Sequence, residues 1–507
     1  MNRWPLAAVV VTSILALLVL LLGVLGVVAM TTIGRLNDDV LDLSNQLASA
    51  ESRIADLEDE LASAPDNGAS GLEDLLGGLL RGEGSGDLDD LLGDLFAGAG
   101  GDLGDLFGED GLGSLLGGAN PDLGSCLTAV PGSIEIANDN LEAQIDDIAL
   151  AVSDIRELEF TGDVDPILVS PEEMGERVRD LAAEELPADV VEFDTRLWVG
   201  LRMLDPGFDL VETQLDLLDS AVAGYYDPDS NDLVVATTAS DSPLDPIDQV
   251  TLAHELIHAL TDSNLNFPDI IDDPRADPER VRAIQALIEG DATLGMQQFS
   301  LGAIDLMDQF GMILDPRLAA SQADLDEVPY ILSNGLQLPY LEGMSFACAL
   351  YADGGWEAVD AAYDNPPDTT AEILFPELYQ DGWEPETPAA AGGPGAGWSE
   401  LGTAGFGAVD LLNLFSAPSD DTSAGLDDVR ERVRSWGGGT ATVWARDSDT
   451  AILLNLVDSG AGTTSLCESM EAWVRAAAVE NAKVDCQDTS VQVGIGPNLD
   501  ISDSIVD

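Results

Sequence analysis

His254-Glu255-Leu256-Ile257-His258 reads H-E-x-x-H, and its two histidines are the only ones in 507 residues. On a helix, residues four apart project from one face, so His254 and His258 can place two ring nitrogens on one metal ion. Glu255, one position round, is set to hold and deprotonate a water at that ion rather than to ligate it. The flanking residues predict the helix. Asp245 is a candidate N-cap, Pro246 fits the first helical position and Asp248 suits the positive helix end. Val250, Ala253, Ile257 and Leu260 form an apolar stripe beside the histidines. The competing reading is two ordinary core histidines with an incidental glutamate between them.

A metal site that does chemistry needs a third protein ligand and an open fourth position. With no further histidine, that ligand must be a carboxylate or a thiolate. Glu289, in Ala286-Leu287-Ile288-Glu289-Gly290-Asp291-Ala292, is the first candidate. It falls on a predicted helix starting at Asp277-Pro278, whose Val281, Ile284, Leu287 and Ile288 make an apolar face. A carboxylate on a buried helix is costly unless a metal or another cation pairs with it. Asp291 is the nearest rival, or the group that orients a histidine ligand. Ahead of the metal helix, Gly224-Tyr225-Tyr226-Asp227-Pro228 and Leu233-Val234-Val235-Ala236 predict a hairpin turning at 227–232. Its edge could pair with an extended peptide. Residues 134–159, 171–186 and 208–220 read as helices and 165–169 as a strand.

These blocks together resemble a group of gluzincin-type metallopeptidases from actinobacteria and archaea. Pro339-Tyr340-Leu341-Glu342-Gly343-Met344, Gly354-Gly355-Trp356-Glu357 and Ile373-Leu374-Phe375-Pro376-Glu377 are similar to later blocks of the same group. The resemblance covers roughly residues 150–480. It implies His254, His258 and Glu289 as ligands of one zinc ion, Glu255 as the catalytic base, and an α+β, mainly helical, zincin-like domain. At Phe375 the group's pattern often carries histidine. If that histidine steadies the reacting carbonyl in relatives, this chain needs another donor, and Tyr226 and Tyr340 are the candidates.

Composition sets the surroundings. Ninety-five acidic residues against nineteen basic ones give a net charge of -76, a self-repulsion tolerated best where salt screens it, so the chain reads as halophilic. A nucleic-acid partner is disfavoured, because phosphate backbones need basic patches. From Trp4 to Gly34 the chain carries no charge, long enough to span a bilayer, with Arg3 before it and Asp38 and Asp39 beyond. Residues 1–34 are therefore expected to be an uncleaved signal anchor, with the N-terminus cytoplasmic and the remainder outside the cytoplasm. Leu36, Val40, Leu43, Leu47, Ala50, Ile54, Leu57 and Leu61 alternate in steps of four and three, predicting a coiled coil over 35–63 that could pair two copies. Residues 64–124 are rich in Gly, Leu and Asp around the lone Arg81 and read as a low-complexity tether. The metallopeptidase domain is expected over 125–490, with 491–507 an acidic tail.

The four cysteines, Cys126, Cys348, Cys467 and Cys486, include no C-x-x-C pair. Outside the cytoplasm an even count predicts disulfides, with three connectivities open. Cys467 with Cys486 is the local pair, which would leave Cys126 to Cys348. The expected function is a membrane-anchored zinc peptidase hydrolysing a peptide or protein substrate outside the cytoplasm. The alternative is a cell-surface binding protein on the same fold that has lost turnover.

Overall fold

The molecule, described here as a computed structural model, covers residues 134–506 with short gaps, together with Cys126 and one strand, β1 (Val10–Ser13). The predicted coiled coil, the tether and the anchor apart from β1 lie outside the described residues. β1 itself comes from the uncharged N-terminal run and is extended rather than helical. Among the described residues no helix is long and apolar enough to cross a membrane.

The architecture is mixed α+β, with helix predominating. Helix α1 (Leu141–Arg156) starts later than its sequence suggests, because the Asn140 side chain accepts from Glu142 N and caps it there. Residues 134–137 run extended ahead of it, Ile134 N donating to Gly302 O. Strand β2 (Ile167–Val169) precedes helices α2 (Pro171–Ala183), α3 (Ala188–Gly200) and α4 (Leu210–Ala221). The predicted hairpin follows as β3 (Val222–Asp227) and β4 (Asp232–Ala236), with Asn231 taking the left-handed conformation in the turn. The sheet order is β1-β3-β4-β2; β1 lies antiparallel on β3, with Thr12 opposite Gly224, and β2 is parallel to β4.

Strand alternation divides this sheet between two layers. Tyr225 and Val234 pack with Met174 and Val178 of α2 and with Leu215 and Leu218 of α4. Gly224 and Tyr226 point the other way, onto α5 (Pro246–Leu265). Beyond α5 come α6 (Pro278–Ala303), α7 (Tyr330–Gly354), α8 (Trp356–Asp364) and α9 (Thr370–Leu374). Helices α6 and α7 cross at glycines. A Cβ on Gly290 would lie 2.1 Å from the Gly343 carbonyl carbon, and one on Gly343 would lie 2.1 Å from Ala286 O, so no side chain fits at either place.

The C-terminal part is a five-stranded antiparallel sheet in the order β5-β6-β7-β9-β8, built from β5 (Ser399–Gly405), β6 (Trp436–Arg446), β7 (Asp449–Asp458), β8 (Ala482–Gln487) and β9 (Ser490–Ile495). Ile452, Leu454 and Leu456 face a large core shared with Leu197 of α3, Leu201 just past its end, Leu338 of α7 and Leu411, Leu414 and Phe415 of α10 (Ala408–Ser416). This sheet is therefore continuous with the helical part. Helix α11 (Leu466–Ala476) packs Met470 and Trp473 into the same core.

The expected acidic tail is corrected. Val491, Val493 and Ile495 alternate into the core along β9, and helix α12 (Leu499–Val506) buries Ile505 and Val506 against Leu453 on the sheet's other face. Asp500 and Asp503 fall on its exposed side. Two disulfides close the fold, Cys126–Cys348 and Cys467–Cys486.

Candidate metal centre

Asp245 caps α5 through Asp248 N at 3.0 Å, and Pro246 takes the first turn. The helix is then buried on nearly all sides from Ile247 to His258, so its polar residues are there at a cost that requires partners. Helix α6 starts the same way, with Asp277 accepting from Glu279 N and Pro278 following. It runs alongside α5 and carries Glu289 to the histidines.

Three ligand atoms converge. His254 Nε2 lies 2.8 Å from His258 Nε2 and 3.2 Å from Glu289 Oε2, and His258 Nε2 is 3.5 Å from the same oxygen. No other group of three or more His, Cys, Asp or Glu side chains comes together in this way among the described residues. Tetrahedral ligation at ~2.0–2.1 Å sets ligand atoms about 3.3 Å apart, so the two histidine–carboxylate separations match it closely and the two ring nitrogens are about half an ångström nearer than a divalent ion requires.

The electrostatics agree with the geometry. Burial lowers His254 to about 3 and holds His258, which also faces His254, well below the usual imidazole range. Both rings are therefore neutral at neutral pH, with lone pairs free to ligate. Burial pushes the Glu289 carboxyl well above its ordinary value, opposed by a hydrogen bond from the Tyr340 hydroxyl. Glu255 is also pushed well up, by burial and then by the charge of Glu289. A divalent cation among the three atoms reverses that balance and favours both carboxylates.

The remaining sequence candidates separate. Tyr340, on α7, stands at the site: its hydroxyl meets Glu289 and its ring centroid is 6.0 Å from that of His254. Tyr226 is engaged away from the three ligand atoms. Its hydroxyl reaches Asp262 Oδ2 at 3.0 Å and Asn231 Oδ1 at 3.1 Å, tying the hairpin to the last turns of α5. Asp291 also differs from expectation. It receives the Arg156 guanidinium at 2.8 Å, Tyr363 OH at 2.8 Å and Thr261 Oγ1 at 3.2 Å. His254 Nδ1 has no hydrogen-bond partner among the described residues. Arg156 is fully buried and also bonds Asp360 at 2.7 Å beneath the Trp356 ring, so this cluster joins α1, α5, α6 and α8 just behind the ligands. Phe375 is core, packed under the Arg434 and Arg430 guanidinium groups.

Sequence reasoning passed over Arg156, the Gly290–Gly343 crossing and Gly224. Each carried a faint signal: a cation in a chain that has few, and glycines inside regular elements. A Cβ on Gly224 would come within 2.8 Å of Glu255 Oε1, so β3 passes directly over that carboxylate.

No protein-family model matches the chain, and neither a curated protein nor a solved structure matches it.

Proposed function

We propose that this chain is a zinc-dependent peptidase with a zincin-type site, anchored in a membrane and working outside the cytoplasm. The observation that carries the reading is the convergence of His254, His258 and Glu289, with Glu255 one residue along from the first ligand. A zinc ion bound there would act as a Lewis acid on a water and on the scissile carbonyl. Glu255 takes the water's proton and delivers it to the leaving amine. Its burial pushes the carboxyl above its ordinary value, which favours taking up a proton from the water. The neutral histidines keep their lone pairs for the ion, and the Tyr340 hydroxyl steadies the Glu289 carboxylate.

β3 is the strand nearest the base, and its outer edge takes an extended segment antiparallel, as β1 does. An extended peptide substrate pairs on that edge. This reading requires Val10–Ser13, which pair on β3 in this structure, to leave that edge for the bilayer and so open it to substrate. The two disulfides suit an oxidising compartment outside the cytoplasm.

The test is zinc content and peptidase activity of the whole chain in high salt, beside Glu255→Gln. One zinc per chain, with turnover abolished and zinc kept in the variant, is the expected result. Zinc without turnover on a broad peptide library would favour a cell-surface binding protein. A folded chain that takes up no zinc would overturn the site assignment.

A further inference from the structure

Glycine inside a strand adds backbone freedom and no packing, so its presence calls for a reason. Gly224 sits in β3 between buried Ala223 and Tyr225, and its φ lies outside the left-handed region. The reason is therefore space. A Cβ there would lie 2.8 Å from Glu255 Oε1, 2.9 Å from Glu255 Cγ and 3.1 Å from Thr251 Cγ2. Glu255 and Thr251 are 0% and 1% exposed, so neither side chain can swing into solvent.

Nor can the strand back away. The ribbon of β3 and β4 is pinned to α5 on both sides of this contact. Thr237 Oγ1, just past β4, donates to Asp248 Oδ2 at 2.7 Å in the first turn of α5. Tyr226 OH donates to Asp262 Oδ2 at 3.0 Å near its end. The two pins are about 21 Å apart along the helix axis, and Glu255 stands between them.

We infer that Gly224 is a positioning residue for the catalytic base: the absent side chain is the space in which the Glu255 carboxylate is held, and the pinned ribbon fixes the size of that space. The inference rests on Glu255 being the base. It assigns the hairpin a part in catalysis apart from any pairing with substrate. The metal ligands do not share in it, since His254, His258 and Glu289 meet one another and the three atoms nearest a Cβ at Gly224 belong to Glu255 and Thr251.

The experiment is Gly224→Ala in the full chain, alone and combined with Glu255→Ala. Zinc content is expected to stay at the wild-type level, kcat to fall about 10- to 100-fold and KM to change less than about threefold, the signature of a displaced catalytic group. Wild-type kcat in Gly224→Ala would overturn the inference. Thermal stability gives a second reading that needs no turnover. Replacing glycine by alanine in unstrained backbone is normally neutral or stabilising, so a lowered Tm reports the clash. In the Glu255→Ala background most of that loss is expected to disappear, because the two closest atoms the new methyl meets, Glu255 Oε1 and Cγ, are gone and only Thr251 Cγ2 at 3.1 Å remains. Equal losses in both backgrounds would overturn the inference, as would a Gly224→Ala chain whose failure to fold is not repaired by Glu255→Ala. If the wild-type chain hydrolyses no peptide, the peptidase reading falls, while the stability cycle still decides whether Gly224 sets the place of Glu255.

Discussion

Glu289 is held from two sides, by the histidines it faces and by the Tyr340 hydroxyl on α7. A hydrogen bond to the outer oxygen of a ligating carboxylate fixes its orientation, and losing such a partner typically weakens metal affinity 10- to 100-fold. Tyr340→Phe keeps the ring and its packing and removes only the hydroxyl. It is expected to lower zinc affinity roughly tenfold or more, read by competition with a chromogenic chelator, while Tm of the metal-free chain changes little. Unchanged affinity would show that Glu289 is positioned without Tyr340. At this scale the meeting of His254 and His258 was legible because helical period fixes which side chains share a face, and two histidines four apart leave little freedom. The same rule separates Glu289 from Asp291: residues two apart on a helix do not face each other, so Asp291 meets Arg156 and Tyr363 while Glu289 meets the metal group. What the sequence could not provide was the partner on the far side, which comes from α1 and α8.

Elements meet at a second buried cluster, where α6 begins. The Glu279 carboxylate accepts from Thr370 N and Oγ1 at 2.7 Å, at the start of α9. Arg282, one turn on, bonds Asp410 of α10 at 2.8 Å and approaches Glu279 at 3.6 Å. Asp194 of α3 faces the same guanidinium, and Asp277 stands nearby at the start of α6. One cation serves more carboxylates than it can neutralise, and burial raises Glu279 to about 7 and Asp194 to about 6. A carboxyl whose folded pKa is raised favours folding while protonated. That contribution is fully present below its unfolded value near 4 and is lost as pH rises through 6 to 7. Stability should therefore fall between about pH 4.5 and 7.5, and Glu279→Gln, neutral throughout, should flatten part of that slope. Parallel slopes for wild type and variant in denaturant titrations across this range would remove Glu279 as a source. None of this was legible beforehand, because the cluster is assembled from four elements distant in sequence. The hairpin and the metal helix were legible from local turn and cap residues. The β9 alternation at Val491, Val493 and Ile495 was present too, but the aspartates that follow masked it as a tail.

Over the whole molecule the governing fact is a net charge of -76. Some of the few cations are shared among several acids: Arg317 serves Asp245, Asp248 and Asp315, and Arg179 serves Glu212 and Asp216. Pairs as exposed as those of Arg179 contribute little individually and cannot offset the repulsion among the unpaired carboxylates. Folding gathers those charges at close quarters, so the native state gains more from screening than the expanded chain does. The Debye length falls from ~10 Å at 0.1 M to ~3 Å at 1 M, so most of the gain should come in the first molar and then level off. Tm is expected to rise by on the order of 10 °C between 0.1 and 1 M NaCl, with KCl equivalent at equal ionic strength. This separates screening from the other way salts stabilise proteins. Exclusion from the surface strengthens apolar burial, grows steadily with concentration and favours sulfate over chloride. A Tm that climbs linearly past 2 M, or that responds to sulfate and hardly to chloride, would show that the acidic surface is not held apart by its own repulsion and that the excess of carboxylates answers some other need than tolerance of salt.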